Sequence, residues 1–238
     1  MSVYDGPKIT TNGLVLALDA GNRLSYVSGS TTWNDISNNA NNGTLINGPT
    51  FSSANNGSIV FDGTNDYVDC GNSSIFNTPN TLTLGVWVKF NNFSSSPTII
   101  GKEWCLGSQW SYSLSMYTDG RLVYIFDSDG NCASTTGIYE SSNVVCVVGT
   151  WYYLSIVHTT SSINLYSNGN NISGQLTGSY GTIYNSTSPV LLGAYRNAGG
   201  TYSNLLNGNI ATTQIYNRAL SAQEVLQNYN ATKTRFGL

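Results

Sequence analysis

The chain has 238 residues and a mass of 25.6 kDa, enough to bury one large core without requiring a second domain. Charged residues make up 9%, against about 25% in an ordinary soluble domain, while aromatics hold at 12%, which excludes the charge-rich, aromatic-poor class of disordered chains. Nine Lys and Arg against twelve Asp and Glu give a net charge of −3 with no clustered cations, which argues against nucleic acid as a partner.

Residues 1–12 read as an N-terminal arm ahead of a domain spanning 13–238. Met1–Pro7 carry neither a basic n-region nor an apolar h-region, so no signal peptide is expected. No stretch approaches the roughly 18 apolar residues of a membrane span, so no membrane partner is expected either. Short alternating apolar runs then follow at 14–18, 58–62, 66–69, 81–90, 110–117, 121–127, 151–159, 163–167, 189–195 and 210–216. The run 81–90 is the clearest: Leu82, Leu84, Val86, Val88 and Phe90 share the core face, and Trp87 lies on the other. The Asn-rich stretch 34–48 reads as a long ordered loop. Asp119-Gly120, Asp129-Gly130, Asn168-Gly169 and Asn207-Gly208 are turn signals, because Asx-Gly pairs accept positive φ. About ten strands with hairpin turns and no alternating helices predict an all-β antiparallel sandwich or barrel. One helix is signalled near 221–229, where Ser221 and Glu224 form a capping box and Leu220 and Val225 a hydrophobic staple. Its single apolar face, with Leu226 and Tyr229, predicts a lid on the sandwich.

Cys70, Cys105, Cys132 and Cys146 lack CxxC spacing, and His158 is the sole histidine, so a zinc site is not expected. Cys132 and Cys146 bracket a Ser/Thr-rich segment and make the most plausible staple. Free buried thiols are the reading placed ahead of it, given the missing signal peptide.

Five ordered segments resemble the motifs of laminin-G-like domains of the concanavalin A-like lectin/glucanase superfamily. They are Phe61-Asp62-Gly63-Thr64-Asn65-Asp66-Tyr67-Val68, Leu84-Gly85-Val86-Trp87-Val88-Lys89, Gly149-Thr150-Trp151-Tyr152-Tyr153-Leu154, Leu165-Tyr166-Ser167-Asn168-Gly169 and Ile215-Tyr216-Asn217-Arg218-Ala219-Leu220-Ser221. The resemblance implies a concanavalin A-like jelly roll of two antiparallel sheets and makes Trp33, Trp87 and Trp151 packing residues. The opening 6–22, with 32–37 and 42–45, is similar to a narrower group, laminin-G-like proteins of tailed-phage virions, notably phages of marine cyanobacteria. That resemblance implies a virion protein assembled in the host cytoplasm, with other virion proteins as partners and a homo-oligomeric state as the default.

Function is weighed by chemistry. Glycoside hydrolysis needs two carboxyl groups about 5–9.5 Å apart, and none of Glu103, Glu140 and Glu224 belongs to the Glu-x-Asp-x-x-Glu motif of the superfamily's glucanases. Asp127 and Asp129 are the best remaining pair, but Gly130-Asn131 beside them favours a turn. No enzymatic activity is expected. No cofactor is required; the resemblance implies at most one structural calcium, with Asp35, Asp62 and Asp66 as its candidate ligands and Asp127, Asp129 and Asn131 as a separate candidate set. The alternative is that these aspartates cap turns through backbone N–H groups, and Ala211-Thr212, where relatives carry acidic residues, weakens the carried-over site. Aromatic rings in polar or Gly-rich loops, Trp104, Trp110, Tyr139, Tyr180 and Tyr202, with Arg196, are the candidate glycan-binding residues. The expected role is a non-catalytic virion decoration or fibre subunit whose lectin-like domain adheres to host surface polysaccharide. A purely structural decoration protein and a secreted bacterial lectin-like module are the alternatives.

Overall fold

The computed structural model describes residues 8–105, 107–132, 135–172 and 174–238. Two antiparallel sheets face each other, as the jelly-roll reading requires. The eight-stranded sheet runs Asn170–Ile172, Ser162–Ser167, Trp151–Thr159, Thr81–Phe90, Asn207–Tyr216, Ser58–Asp62 and Thr50–Ser52, with Leu14–Asp19 also paired to Asn207–Tyr216. The nine-stranded sheet runs Gly174–Gly178, Gly137–Ser141, Leu122–Phe126, Tyr112–Met116, Thr98–Lys102, Leu191–Leu192, Tyr67–Asp69, Gly43–Ile46 and Thr32–Trp33.

Thr81–Phe90 shows how the alternation becomes a core. Its Leu82, Leu84, Val86, Val88 and Phe90 are all buried between the sheets, while Trp87 on the opposite face is equally buried under the C-terminal helix. That helix, Ala222–Thr232, begins at the expected capping box: the Glu224 N–H donates to Ser221 Oγ and the Ser221 N–H to Glu224 Oε2. It runs three residues beyond the expected end and continues as a 3-10 turn, Lys233–Phe236. The extension has a partner to cover: Trp87 donates its indole N–H to Thr232 Oγ1 at 2.7 Å and stacks on Phe236 at 4.0 Å between centroids. The outer face of the eight-stranded sheet is therefore roofed. Trp33 and Trp151 are buried as well, as packing residues should be.

Of the N-terminal arm, residues 1–7 lie outside the described residues. Residues 8–12 are pinned to the helix and the strand before it: Gln227 donates to the Lys8 carbonyl, the Thr10 N–H donates to Asn228 Oδ1 and Tyr216 Oη donates to the Thr10 carbonyl.

The structure corrects several sequence expectations. The 34–48 stretch is not all loop, because Gly43–Ile46 pairs with Tyr67–Asp69 and buries Leu45 while Thr44 stays exposed. Asn207-Gly208 is not a turn: it opens the Asn207–Tyr216 strand, and Gly208 is needed because a Cβ there would run into the Lys89 carbonyl. Asp119-Gly120 and Asn168-Gly169 are turns as expected, with φ of +85° at Gly120 and of +51° and +77° at the second pair. Cys132 bonds Cys105 and not Cys146, with a Cα separation of 5.3 Å, while Cys70 and Cys146 are free buried thiols. Thr98–Lys102, Gly137–Ser141 and Gly174–Gly178 are strands missed by the alternation, since glycine and charged or small polar residues break it.

Candidate functional site

With one sheet roofed by the helix, the open surface is the outer face of the nine-stranded sheet. Pleating decides what it presents. In Tyr112–Met116, Tyr112, Leu114 and Met116 join the core, so Ser113 and Ser115 point outward. Their cross-strand partners Ile125 and Val123 point the same way. Together they floor a pocket of about 240 Å³ whose walls include Glu103, Trp110, Tyr195 and Asn204.

Glu103 follows the Thr98–Lys102 strand, and Gly101 makes room for it: a Cβ at Gly101 would sit 3.0 Å from Glu103 Oε1. The glutamate is 3% exposed. Burial pushes its carboxyl pKa up to about 8, only partly offset by the Ser113 hydroxyl hydrogen-bonded to it. At neutral pH the pocket therefore holds a protonated carboxyl. Lys102, one position earlier, points into the sandwich, where its ammonium donates to the Ser186 and Ser188 carbonyls at 2.6 and 2.8 Å.

A small hairpin, Tyr195–Arg196 with Tyr202–Ser203, folds over the same face. Tyr202 stacks on Tyr67 with centroids 4.2 Å apart. The Arg196 guanidinium lies 3.9 Å over the Trp104 ring and 5.9 Å from the Tyr202 ring. On its other side Tyr195 meets Trp110 at 6.4 Å and places its hydroxyl 2.9 Å from Cys105 Sγ. Cys105 is disulfide-bonded and has no proton to give, so the tyrosine donates. Reciprocal backbone hydrogen bonds between Trp104 and Gln109 close the intervening loop, and the Cys105–Cys132 bridge ties it to the segment that follows the Asp129-Gly130 pair. The indole N–H groups of Trp104 and Trp110 are buried without acceptors among the described residues.

Four of the six residues singled out as glycan ligands thus lie on this face: Trp110 lines the pocket, and Trp104, Arg196 and Tyr202 cluster on the other side of the hairpin. Tyr139 does not join them. It sits opposite Tyr124 on the Gly137–Ser141 strand and packs toward the core, and the exposed Tyr180 lies beside it, outside the pocket. Sequence reasoning passed over Glu103, Ser113 and Tyr195. The signal for Ser113 was present, in the serines alternating with Tyr112, Leu114 and Met116.

The aspartates serve their own loops. Asp35 accepts from the Ala17, Ser37 and Asn41 N–H groups and the Ser37 hydroxyl. Asp62 accepts from the Thr64 and Asn65 N–H groups, and Asp66 from that of Asp62. Among the described residues no three His, Cys, Asp or Glu side chains converge as a metal-binding group. Asp127 is buried and accepts from the Asp129, Gly130 and Thr136 N–H groups, which makes it a turn cap and not half of a dyad. His158 is buried against Tyr124 and Phe126 and bonded to the Gly181 carbonyl. A larger recess of about 590 Å³ beside Tyr26 and Phe51 has only exposed polar residues, Arg23, Ser28, Ser53 and Asn56. No helix of the described residues is long and apolar enough to cross a membrane.

Comparison with solved structures finds the same fold at low identity. The binding domain of botulinum neurotoxin DC, solved with rat synaptotagmin II, superposes with a TM-score of 0.70 at 14% identity, covering 93% of this chain and 52% of that one. The binding domain of Paraclostridial Mosquitocidal Protein 1 gives 0.65 at 17% identity, covering 92% and 52%. Trypanosoma rangeli sialidase, solved with sialic acid, gives 0.65 at 12% identity, covering 94% and 33%. The chain spans about half the length of the two binding domains or less of the sialidase, and at these identities the likeness is one of fold. A search of curated proteins returned no match. A laminin-G-like family model, described as "Concanavalin A-like lectin/glucanases superfamily", matches residues 62–226. With five ordered motifs, two facing sheets and a match over most of its length, the chain belongs to the concanavalin A-like lectin/glucanases superfamily.

Proposed function

We propose that the chain is a non-catalytic glycan-binding module whose site is the outer face of the nine-stranded sheet. The observation that carries this reading is a serine-floored pocket walled by Trp110 and Tyr195, with the Trp104, Arg196 and Tyr202 cluster on the other side of the same hairpin. Flat apolar rings match sugar C–H faces, and the hydroxyls and Asn204 orient sugar hydroxyls. The pocket has one carboxyl group, Glu103, where glycoside hydrolysis uses two about 5–9.5 Å apart, which supports binding without turnover. Fold neighbours agree in kind: entry of botulinum neurotoxin type C depends on two ganglioside molecules, and the sialidase was solved with sialic acid.

The setting proposed is a virion surface, as decoration or fibre subunit adhering to host polysaccharide, on the resemblance of residues 6–22, 32–37 and 42–45 to tailed-phage proteins. Many copies on one particle would add avidity to a shallow site of millimolar order. A glycan array probed with a multivalent form of the protein tests the binding claim. Binding lost in Trp110→Ala with the fold intact supports it, and no binding to any glycan overturns it in favour of a purely structural role. Mass spectrometry of purified phage particles tests the setting, which fails if the chain is absent from them.

A further inference from the structure

Most arginines of the chain have carboxylate partners. Arg121 pairs with Asp119 and Glu140 at 2.8 and 3.0 Å, Arg218 with Glu224, and Arg235 with Asp19 at 2.8 Å. Arg23 is exposed to solvent. Arg196 differs from both kinds. It is half-buried, lies 3.9 Å over the Trp104 ring and meets no carboxylate among the described residues. Its Nε is buried without an acceptor, whereas its terminal nitrogens are not enclosed in this way. Asp69, on the strand of Tyr67, accepts from the Gly71 N–H instead.

This is a cation with one face on an indole and with terminal nitrogens that no carboxylate of the described residues meets. The partner that suits its guanidinium fork is an oxyanion held by parallel N–H···O bonds. The one carboxyl in the adjoining pocket is protonated at neutral pH, because burial raises the Glu103 pKa to about 8, and it does not repel an anion.

We infer that the glycan taken by this face carries an anionic substituent, a carboxylate or a sulfate, gripped by the Arg196 guanidinium where it lies on Trp104 and beside Tyr202. The inference rests on the glycan-binding reading and narrows it to acidic saccharides. Carboxylate and sulfate share the chemistry of a spread oxyanion, so both belong in the test.

The experiment is a set of paired probes on the intact chain: oligogalacturonate against its methyl ester, sialyllactose against lactose, and dextran sulfate against dextran. At least one acidic member is expected to bind roughly tenfold or more tighter than its neutral partner, with the margin shrinking as salt rises. Arg196→Gln is expected to abolish that margin, leaving acidic and neutral members of each pair equal whatever the affinity that remains, and a thermal melt checks that the variant folds. Arg196→Lys keeps the charge without the fork; partial retention of the margin is expected. Equal binding of every acidic and neutral pair, or a margin unaffected by Arg196→Gln in a folded protein, overturns the inference and leaves the glycan reading standing. Absence of binding to all six probes and to a broad neutral array overturns both.

Discussion

Reducing or removing the Cys105–Cys132 bridge should both destabilise the fold and loosen the site. The bridge closes a loop of 27 residues. Chain entropy alone then assigns it about 3.5 kcal/mol at 25 °C. For a domain of this size each kcal/mol moves the melting temperature by about 2–4 °C, so the double variant Cys105→Ser, Cys132→Ser should melt about 7–14 °C lower. Cys105 follows Trp104, and its sulfur accepts from the Tyr195 hydroxyl at 2.9 Å, so glycan affinity should fall along with stability. Differential scanning calorimetry with and without reductant gives the first number, and titration of thiols in denaturant counts the bridge. Two reactive thiols, Cys70 and Cys146, are expected before reduction and four after it. Four thiols before reduction, or a melt that moves by less than about 2 °C on breaking the bridge, would refute the reasoning.

Two buried groups should shape the pH dependence of stability. Burial lowers the His158 pKa from 6.5 to about 4, so the unfolded chain takes up that proton first, and stability present above pH 6.5 is lost as pH falls toward 4. Glu103 acts in the opposite sense: held protonated up to about 8 against 4.5 when unfolded, it contributes stability below pH 4.5 that erodes as pH rises to 8. The acid limb is on the order of 3 kcal/mol and the Glu103 limb on the order of 5 kcal/mol, and urea titrations across pH should show His158→Gln flattening the first and Glu103→Gln the second. Lys102→Met should cost about 1–3 kcal/mol because it leaves the Ser186 and Ser188 carbonyls without their donor; a gain in stability would mean that ammonium burial outweighs those bonds. Excess chelator should leave the melting temperature unchanged, since Asp35, Asp62 and Asp66 are engaged by their own loops; a drop of several degrees would restore a calcium role for them.

What the sequence made legible follows from how strongly a local pattern constrains the backbone. The alternation of 81–90 permits one arrangement in a two-layer sandwich, and Ser221-Ala222-Gln223-Glu224 has one economical way to start a helix. Gly43–Ile46 and Thr98–Lys102 lacked such a pattern. Polar neighbours hid the first, and in the second Lys102 occupies an inward position that is tolerable only because a distant segment, 186–188, supplies oxygen atoms. The site shows the same division. Loop aromatics in polar contexts were visible as candidates, and four of the six ligand candidates lie on the same face. The pocket there could not be read, because it depends on long-range pairing: Gly101 opposite Ser113 clears space for Glu103, and the 195–203 hairpin folds back over the sheet. Tyr139 looked like its fellows in sequence, and only its register with Tyr124 turned it inward.

The central claim, a glycan site on the outer face of the nine-stranded sheet, is tested most directly by the five tryptophan indole N–H resonances in a two-dimensional NMR titration with an acidic oligosaccharide. Trp104 and Trp110 border the proposed site, while Trp33 lies in the core and Trp87 and Trp151 lie under the C-terminal segment. The account predicts saturable shifts at Trp104 and Trp110 with the other three unmoved. Shifts at Trp87 or Trp151 while Trp104 and Trp110 stay silent would contradict it.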